Sequence, residues 1–192
     1  MRTATIERKT RETDIKLTVD LDGSGKTQID TGIGFFDHML TAFAVHSGID
    51  LTVKCDGDLY VDAHHSVEDI GICLGKAFAQ ALGDKAGIAR YGSAYVPMDE
   101  ALAFCSLDIS GRAFLVFNAQ FSDDRIGQFD TCLTEEVFRA FAFNSAITLH
   151  IREEYGKNDH HICEAIFKAV AHALKQALAQ NGGQVLSTKG VL

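Results

Sequence analysis

Two stretches of this chain are copies of one another, and no other feature so narrows what it can fold into. HHSVEDIGICLGKAFAQAL starts at His64 and HHICEAIFKAVAHALKQAL starts at His160; they align without a gap, with eight of nineteen positions identical. The likeness continues upstream, where FDHMLT from Phe36 parallels FDTCLT from Phe129 and SGIDLTV from Ser47 parallels SAITLHI from Ser145. A repeat of this length means one supersecondary plan used twice. Apolar residues in the second copy (Ile162, Ile166, Ala169, Val170, Ala173, Leu174, Ala177, Leu178) recur at helical spacing, so each HHxxE opens an amphipathic helix. A β-rich run precedes each (Leu51 to Cys55, Ile147 to Ile151), and a helical stretch precedes that (Phe35 to Val45, Leu133 to Phe143).

Each half starts with alternating polar and apolar residues, TDIKLTVDLDGSGKTQI and ALAFCSLDISGRAFLVF, broken at a Ser-Gly that reads as a hairpin turn. The expectation is an α+β fold of two similar β-β-α-β-α halves, about residues 1-92 and 93-192, with helices packed on one face of each sheet. A single proline and no low-complexity linker predict that residues 1-192 form one domain rather than two mobile ones.

Six of the eight histidines, His38, His64, His65, His150, His160 and His161, gather at corresponding places in the two halves. Imidazole and carboxylate together bind divalent transition metals, so the doubled His-His-x-x-Glu predicts a metal centre. Residues i and i+4 share a helix face, whereas i+1 is turned by about 100°. His64 can therefore act with Glu68 and His160 with Glu164, while His65 and His161 point elsewhere. The repeat suggests two sets: His64, Glu68, His161 and His150 for one ion, and His160, Glu164, His65 and His38 for another. Sites rich in imidazole with open positions suit a catalytic ion rather than a closed structural zinc; ligand type alone admits Mn, Fe, Co or Zn. His172, far along its helix, reads as an ordinary polar residue.

Composition limits the partners. With 18 Lys and Arg against 26 Asp and Glu, the net charge is -8. That argues against nucleic-acid binding, which needs clustered cations. No apolar run is long enough to span a membrane, and the charged start MRTATIERKTRETD has no leader pattern, so a cytoplasmic protein is expected. The cysteines at 55, 73, 105, 132 and 163 are odd in number and unpaired in spacing, which predicts buried thiols rather than disulfides.

The runs TGIGFFDHML, DAHHSVEDIGICLGKAF, ALGDKAGIARYG, PMDEAL, LDISGR, TLHIR and NDHHICEAIFKA, spread over nearly the whole chain, resemble those of imidazoleglycerol-phosphate dehydratases. Ser47, Ala113 and Leu186 depart from that family's pattern, and none is a ligand candidate. The resemblance implies a lyase of histidine biosynthesis that converts imidazoleglycerol phosphate to imidazole acetol phosphate. It also implies two Mn2+ per active site and a homo-oligomeric, 24-subunit shell with active sites between subunits. In that chemistry, cations on the ring nitrogens favour loss of the ring proton; the imidazolate expels hydroxide, and proton loss from the next carbon yields an enol and then the ketone.

The resemblance further assigns Glu12 as general acid/base, and Arg90, Arg112, Lys168, Ser187 and Lys189 to the phosphate, with His46 near a substrate hydroxyl. Plainer readings stand beside these: Glu12 as a charged strand flank, Lys168 as a helix ion pair with Glu164, and QVLSTKGVL as a loose terminus. A binuclear hydrolase, or a metal-binding shell without catalysis, would use the same ligands.

Overall fold

Strict alternation builds the strands. In Thr13–Asp20 the odd positions, including Ile15, Leu17 and Val19, are buried while Asp14 and Lys16 are exposed; Leu51, Val53 and Cys55 repeat the pattern in Asp50–Gly57. The computed structural model describes residues 2–183, 185–188 and 190. In chain order these form β1 (Thr3–Lys9), β2 (Thr13–Asp20), β3 (Thr27–Asp30), α1 (Gly34–Ser47), β4 (Asp50–Gly57) and α2 (His64–Leu82). The second half follows with β5 (Tyr91–Met98), β6 (Ala101–Asp108), β7 (Phe114–Asn118), β8 (Arg125–Ile126), β9 (Phe129–Asp130), α3 (Leu133–Ser145), β10 (Thr148–Tyr155) and α4 (Asp159–Leu178).

The two halves are similar α+β units, as the repeat requires; each builds a four-stranded sheet, one strand more than the five-element plan, and the second half adds the short β8–β9 pair. The sheets run β1-β2-β4-β3 and β5-β6-β10-β7. The Ser-Gly segments therefore do not close hairpins, and that expectation is corrected: β4 lies between β2 and β3, and β10 between β6 and β7. β3 pairs parallel to β4 and β7 parallel to β10. Parallel neighbours need a crossover connection, which α1 and α3 supply. Within the two four-stranded sheets the hairpins are β1–β2 and β5–β6, whose turns contain Glu12 in one half and Asp99 and Glu100 in the other.

The halves exchange helix contacts. α2 covers the first sheet but packs chiefly on α3, while α4 covers the second sheet and packs on α1. Phe43, Phe78 and Phe141, from α1, α2 and α3, meet with ring centroids 5.1 to 6.4 Å apart, and the buried apolar residues of both halves form one cluster. α2 comes so close to α3 that a Cβ on Gly71 would stand 2.8 Å from the Val137 carbonyl, and one on Gly75 2.7 Å from that of Phe141. Four cysteines are buried, but Cys132 is exposed at the start of α3, correcting the expectation of five buried thiols. It sits at the helix N-terminus, before the buried face begins. No helix among the described residues is long and apolar enough to cross a membrane.

Asp69 ties α2 to the first hairpin. Its carboxylate accepts from Arg8 Nε at 2.9 Å and from the Thr13 hydroxyl at 2.6 Å. Asp69→Ala leaves both donors without their acceptor, so a loss of about 2 to 3 kcal/mol is expected, measured as a lower denaturant midpoint. A midpoint equal to that of the unsubstituted protein would show that the network contributes nothing net.

Candidate metal centre

The start of each HHxxE helix is set by a side chain two residues before the first histidine. His64 N donates to Asp62 Oδ1 at 2.8 Å, and His160 N to Asn158 Oδ1 at 3.0 Å, satisfying an amide that the helix cannot. From there helical spacing acts as expected. His160 Nε2 lies 3.3 Å from Glu164 Oε2, and His38 Nε2, reaching across from α1, lies 3.4 Å from the same oxygen. Their ligand atoms all fall within 4.8 Å of one another, and this is the one group of three or more candidate ligands among the described residues.

Glu164 is buried. Burial pushes its carboxyl up, but Lys168 and His38 bring it below its ordinary value. Lys168 Nζ is 2.6 Å from Glu164 Oε1, so the plain helix pair does form, and it places an ammonium directly beside the cluster.

The first repeat provides less. His64 Nε2 stands 3.9 Å from Glu68 Oε2. The position matching His38 is Thr131, whose hydroxyl donates to the Asp123 carbonyl at 2.9 Å, and no third ligand joins the pair among the described residues.

The second histidine of each pair turns away, as its rotation about the helix requires. His65 Nδ1 donates to Asp58 Oδ2 at 3.0 Å, and its Nε2 is 3.9 Å from Glu12 Oε1. His161 Nδ1 donates to Glu100 Oε2 at 2.7 Å, and its Nε2 is 3.8 Å from Asp99 Oδ2. These hydrogen bonds raise both imidazole pKa values, and the bond from His161 is the main reason that Glu100 is held down at about 2. His150 is exposed on β10, opposite Ser106 on β6 and Val116 on β7. One chain thus joins three of the four residues in one expected set, without His65. In the other it joins His64 to Glu68, without His161 or His150.

Arg90 is buried with a positive φ of 73°. Its Nε and second terminal nitrogen meet the two oxygens of Asp108 at 2.6 and 3.0 Å, and its remaining nitrogen donates to the Leu186 carbonyl at 2.5 Å. Exposed Arg112 lies 3.5 Å from the same carboxylate. Arg90 therefore carries the tail, bringing half-buried Ser187 into its neighbourhood; Lys189 lies outside the described residues.

His46 Nδ1 is 3.0 Å from His172 Nε2. Its pKa is lowered, first by burial and then by His172 and Lys168. His172, read as an ordinary polar residue, is thus the partner of His46. His38 meets Glu164, and eight residues further along both helices His46 meets His172, so α1 and α4 run in the same direction. Asp58, Asp99 and Glu100 also escaped the sequence reading, although the matching turns of the repeat offered a signal for the last two.

A family model described as imidazoleglycerol-phosphate dehydratase matches residues 31–174. Proteins of that name from Rhodopseudomonas palustris (strain TIE-1) and Lactococcus lactis subsp. cremoris (strain SK11) are 58% and 59% identical, each over all of this chain and over 99% and 98% of their own lengths. The crystal structure of the Staphylococcus aureus dehydratase superposes with a TM-score of 0.85 at 43% identity, covering 93% of this chain and 99% of its own. That of the Pyrococcus furiosus protein in complex with (S)-C348 gives 0.85 at 39%, covering 97% and 100%.

Proposed function

This chain belongs to the imidazoleglycerol-phosphate dehydratase family, the dehydrating lyases of histidine biosynthesis, and from that premise we propose that it works through two manganese ions held between subunits. The substrate is D-erythro-imidazoleglycerol phosphate and the product imidazole acetol phosphate. The cluster of His38, His160 and Glu164 carries this reading. Its two imidazole nitrogens and one oxygen are the donor set of an open, catalytic divalent ion. Such a cluster is short of a full shell, and so is the His64–Glu68 pair. His65 of the partner subunit would complete the first; His161 and His150 would serve the second.

The outer face of the second sheet favours such sharing. Along it run the rows Tyr91–Asp108–Thr148–Phe114 and Ser93–Ser106–His150–Val116, with Tyr91, Phe114, Val116 and neighbouring Tyr95 all exposed. The same face of the first sheet shows Asp14, Lys16, Thr52 and Lys54. A subunit seated on the apolar face would meet His150 directly, which supports association between copies of this chain; the 24-subunit shell and the cytoplasmic location are part of the same proposal.

Bound manganese supplies fixed positive charge that eases proton loss from an imidazole ring. The chain's own groups do the rest. Glu12 extends a half-exposed carboxylate beside His65, suited to taking a proton from one carbon and returning one to another. Lys168, Arg112 and Arg90 with the tail residues Ser187 and Lys189 offer cationic and polar groups for the phosphate, and His46 a nitrogen for a hydroxyl. Hydrolysis and bare metal storage, which share the ligands, do not match the family's dehydration.

Metal-stripped protein given imidazoleglycerol phosphate is expected to release the phosphorylated ketone only after manganese is added back. Full turnover without metal, or none from manganese-loaded protein, would overturn the proposal.

A further inference from the structure

We propose that Asp58 and Glu100 are positioning residues which fix His65 and His161 as Nε2 ligands by accepting a hydrogen bond from Nδ1. The inference rests on the manganese reading above. A carboxylate can only accept, so each contact places the imidazole proton on Nδ1 and leaves the Nε2 lone pair outward. Metal-bound histidines are commonly oriented and made more basic by such a partner on the other nitrogen.

The internal repeat separates this role from inherited loop packing. His65 and His161 hold equivalent places in the two copies, yet their carboxylates come from elements that are not equivalent. Asp58 follows β4 in the loop leading to α2; Glu100 sits in the β5–β6 turn. Both make the same connection, hairpin turn to helix start, from opposite sides. Asp58 donates its backbone N–H to the Glu12 carbonyl in the β1–β2 turn at 3.0 Å and gives both carboxylate oxygens to His65, at 3.2 and 3.0 Å. Glu100 accepts the amides of Lys157 and Asn158 on Oε1, at 3.2 and 2.8 Å, and keeps Oε2 for His161. Packing of the duplicated elements alone would reuse one contact; a shared need for an Nδ1 acceptor explains why two different ones arose. Asp58 also links the turn carrying Glu12 to a ligand, so one residue sets the distance between proton carrier and metal.

Asp58→Asn and Glu100→Gln test this in the manganese-loaded, full-length assembly. Each amide keeps the size of the carboxylate and can present its NH2 to Nδ1, which favours the tautomer with the proton on Nε2, unable to coordinate. The assembly is titrated with a chelator, and released aqueous manganese is followed by its electron paramagnetic resonance signal.

The unsubstituted protein should give up two ions per chain. Each variant should release one of the two at about 10- to 100-fold lower chelator concentration, with the melting temperature of the chelator-stripped chain unchanged. A lowered melting temperature with both ions held as tightly as before would mean that the carboxylates only brace loops, and would overturn the proposal. The two substitutions lie on separate loops, so if one variant fails to fold the other decides. An unsubstituted protein that carries no manganese would instead overturn the metal reading itself.

Discussion

Glu12→Gln is expected to lower turnover by about 10²- to 10⁴-fold, the range for removing a positioned general acid/base, while the protein keeps its manganese and its assembly. The structure shows why the loss should fall on the chemical step. The backbone of Glu12 is held at both ends of the residue: its N–H donates to Thr10 Oγ1 at 3.0 Å and its carbonyl accepts from Asp58 N at 3.0 Å. Its side chain is half-exposed and lies 3.9 Å from His65 Nε2. A carboxylate fixed through its backbone and half-exposed at its tip, next to the proposed ligand His65, can carry a proton without supporting structure. The other half offers a built-in comparison, because Asp99 in the matching β5–β6 turn stands 3.8 Å from His161 Nε2. Rates for Glu12→Gln and Asp99→Asn, measured with saturating manganese, distinguish the two turns. A Glu12→Gln enzyme keeping more than a tenth of its kcat would remove Glu12 from the mechanism, and a deep loss confined to Asp99→Asn would move the proton carrier to the second half.

The pattern of what could be read from sequence follows the reach of each signal. Helical periodicity and the i, i+4 relation are local, so the extents of α1 to α4, the pairing of His160 with Glu164 and the outward turn of His65 and His161 were all legible in the residues. Strand order is not local. TDIKLTVDLDGSGKTQI contains two real strands, β2 and β3, but alternation says only that a strand has two unlike faces and not which strand lies beside it. β4, arriving twenty residues later after a helix, takes the place between them. The same limit hid His172: nothing within α4 shows that α1 runs alongside it in the same direction and delivers His46. Asp58 was hidden for a different reason. A lone aspartate before a helix reads as a turn residue, and its use appears only when its carboxylate is found on His65. Glu12 was singled out only by family resemblance, and its nearness to His65 now gives it a physical context.

Removal of manganese is expected to take the assembly apart. Ligands for each ion are split between chains in this reading, so the free energy of metal binding is also free energy of association. At free metal 1,000-fold above its dissociation constant, that is about 4 kcal/mol per site, enough to dominate a contact surface of modest size. Acid should act in the same direction. Coordination needs a neutral imidazole, whose ordinary pKa is about 6.5; as pH falls through that range, protons compete with metal and binding weakens. Chelator at neutral pH, or pH lowered to about 5, should therefore shift sedimentation from a large shell to small species, and manganese at neutral pH should reverse it. The apolar strip of Tyr91, Tyr95, Phe114 and Val116 bears on what remains. It needs no metal to bury, so pairs or small rings joined through the second sheet should persist when the shell opens. If the sedimentation profile stays unchanged after complete metal loss, the apolar face alone holds the assembly, and the ligands of each ion come from one chain or from chains already joined without it.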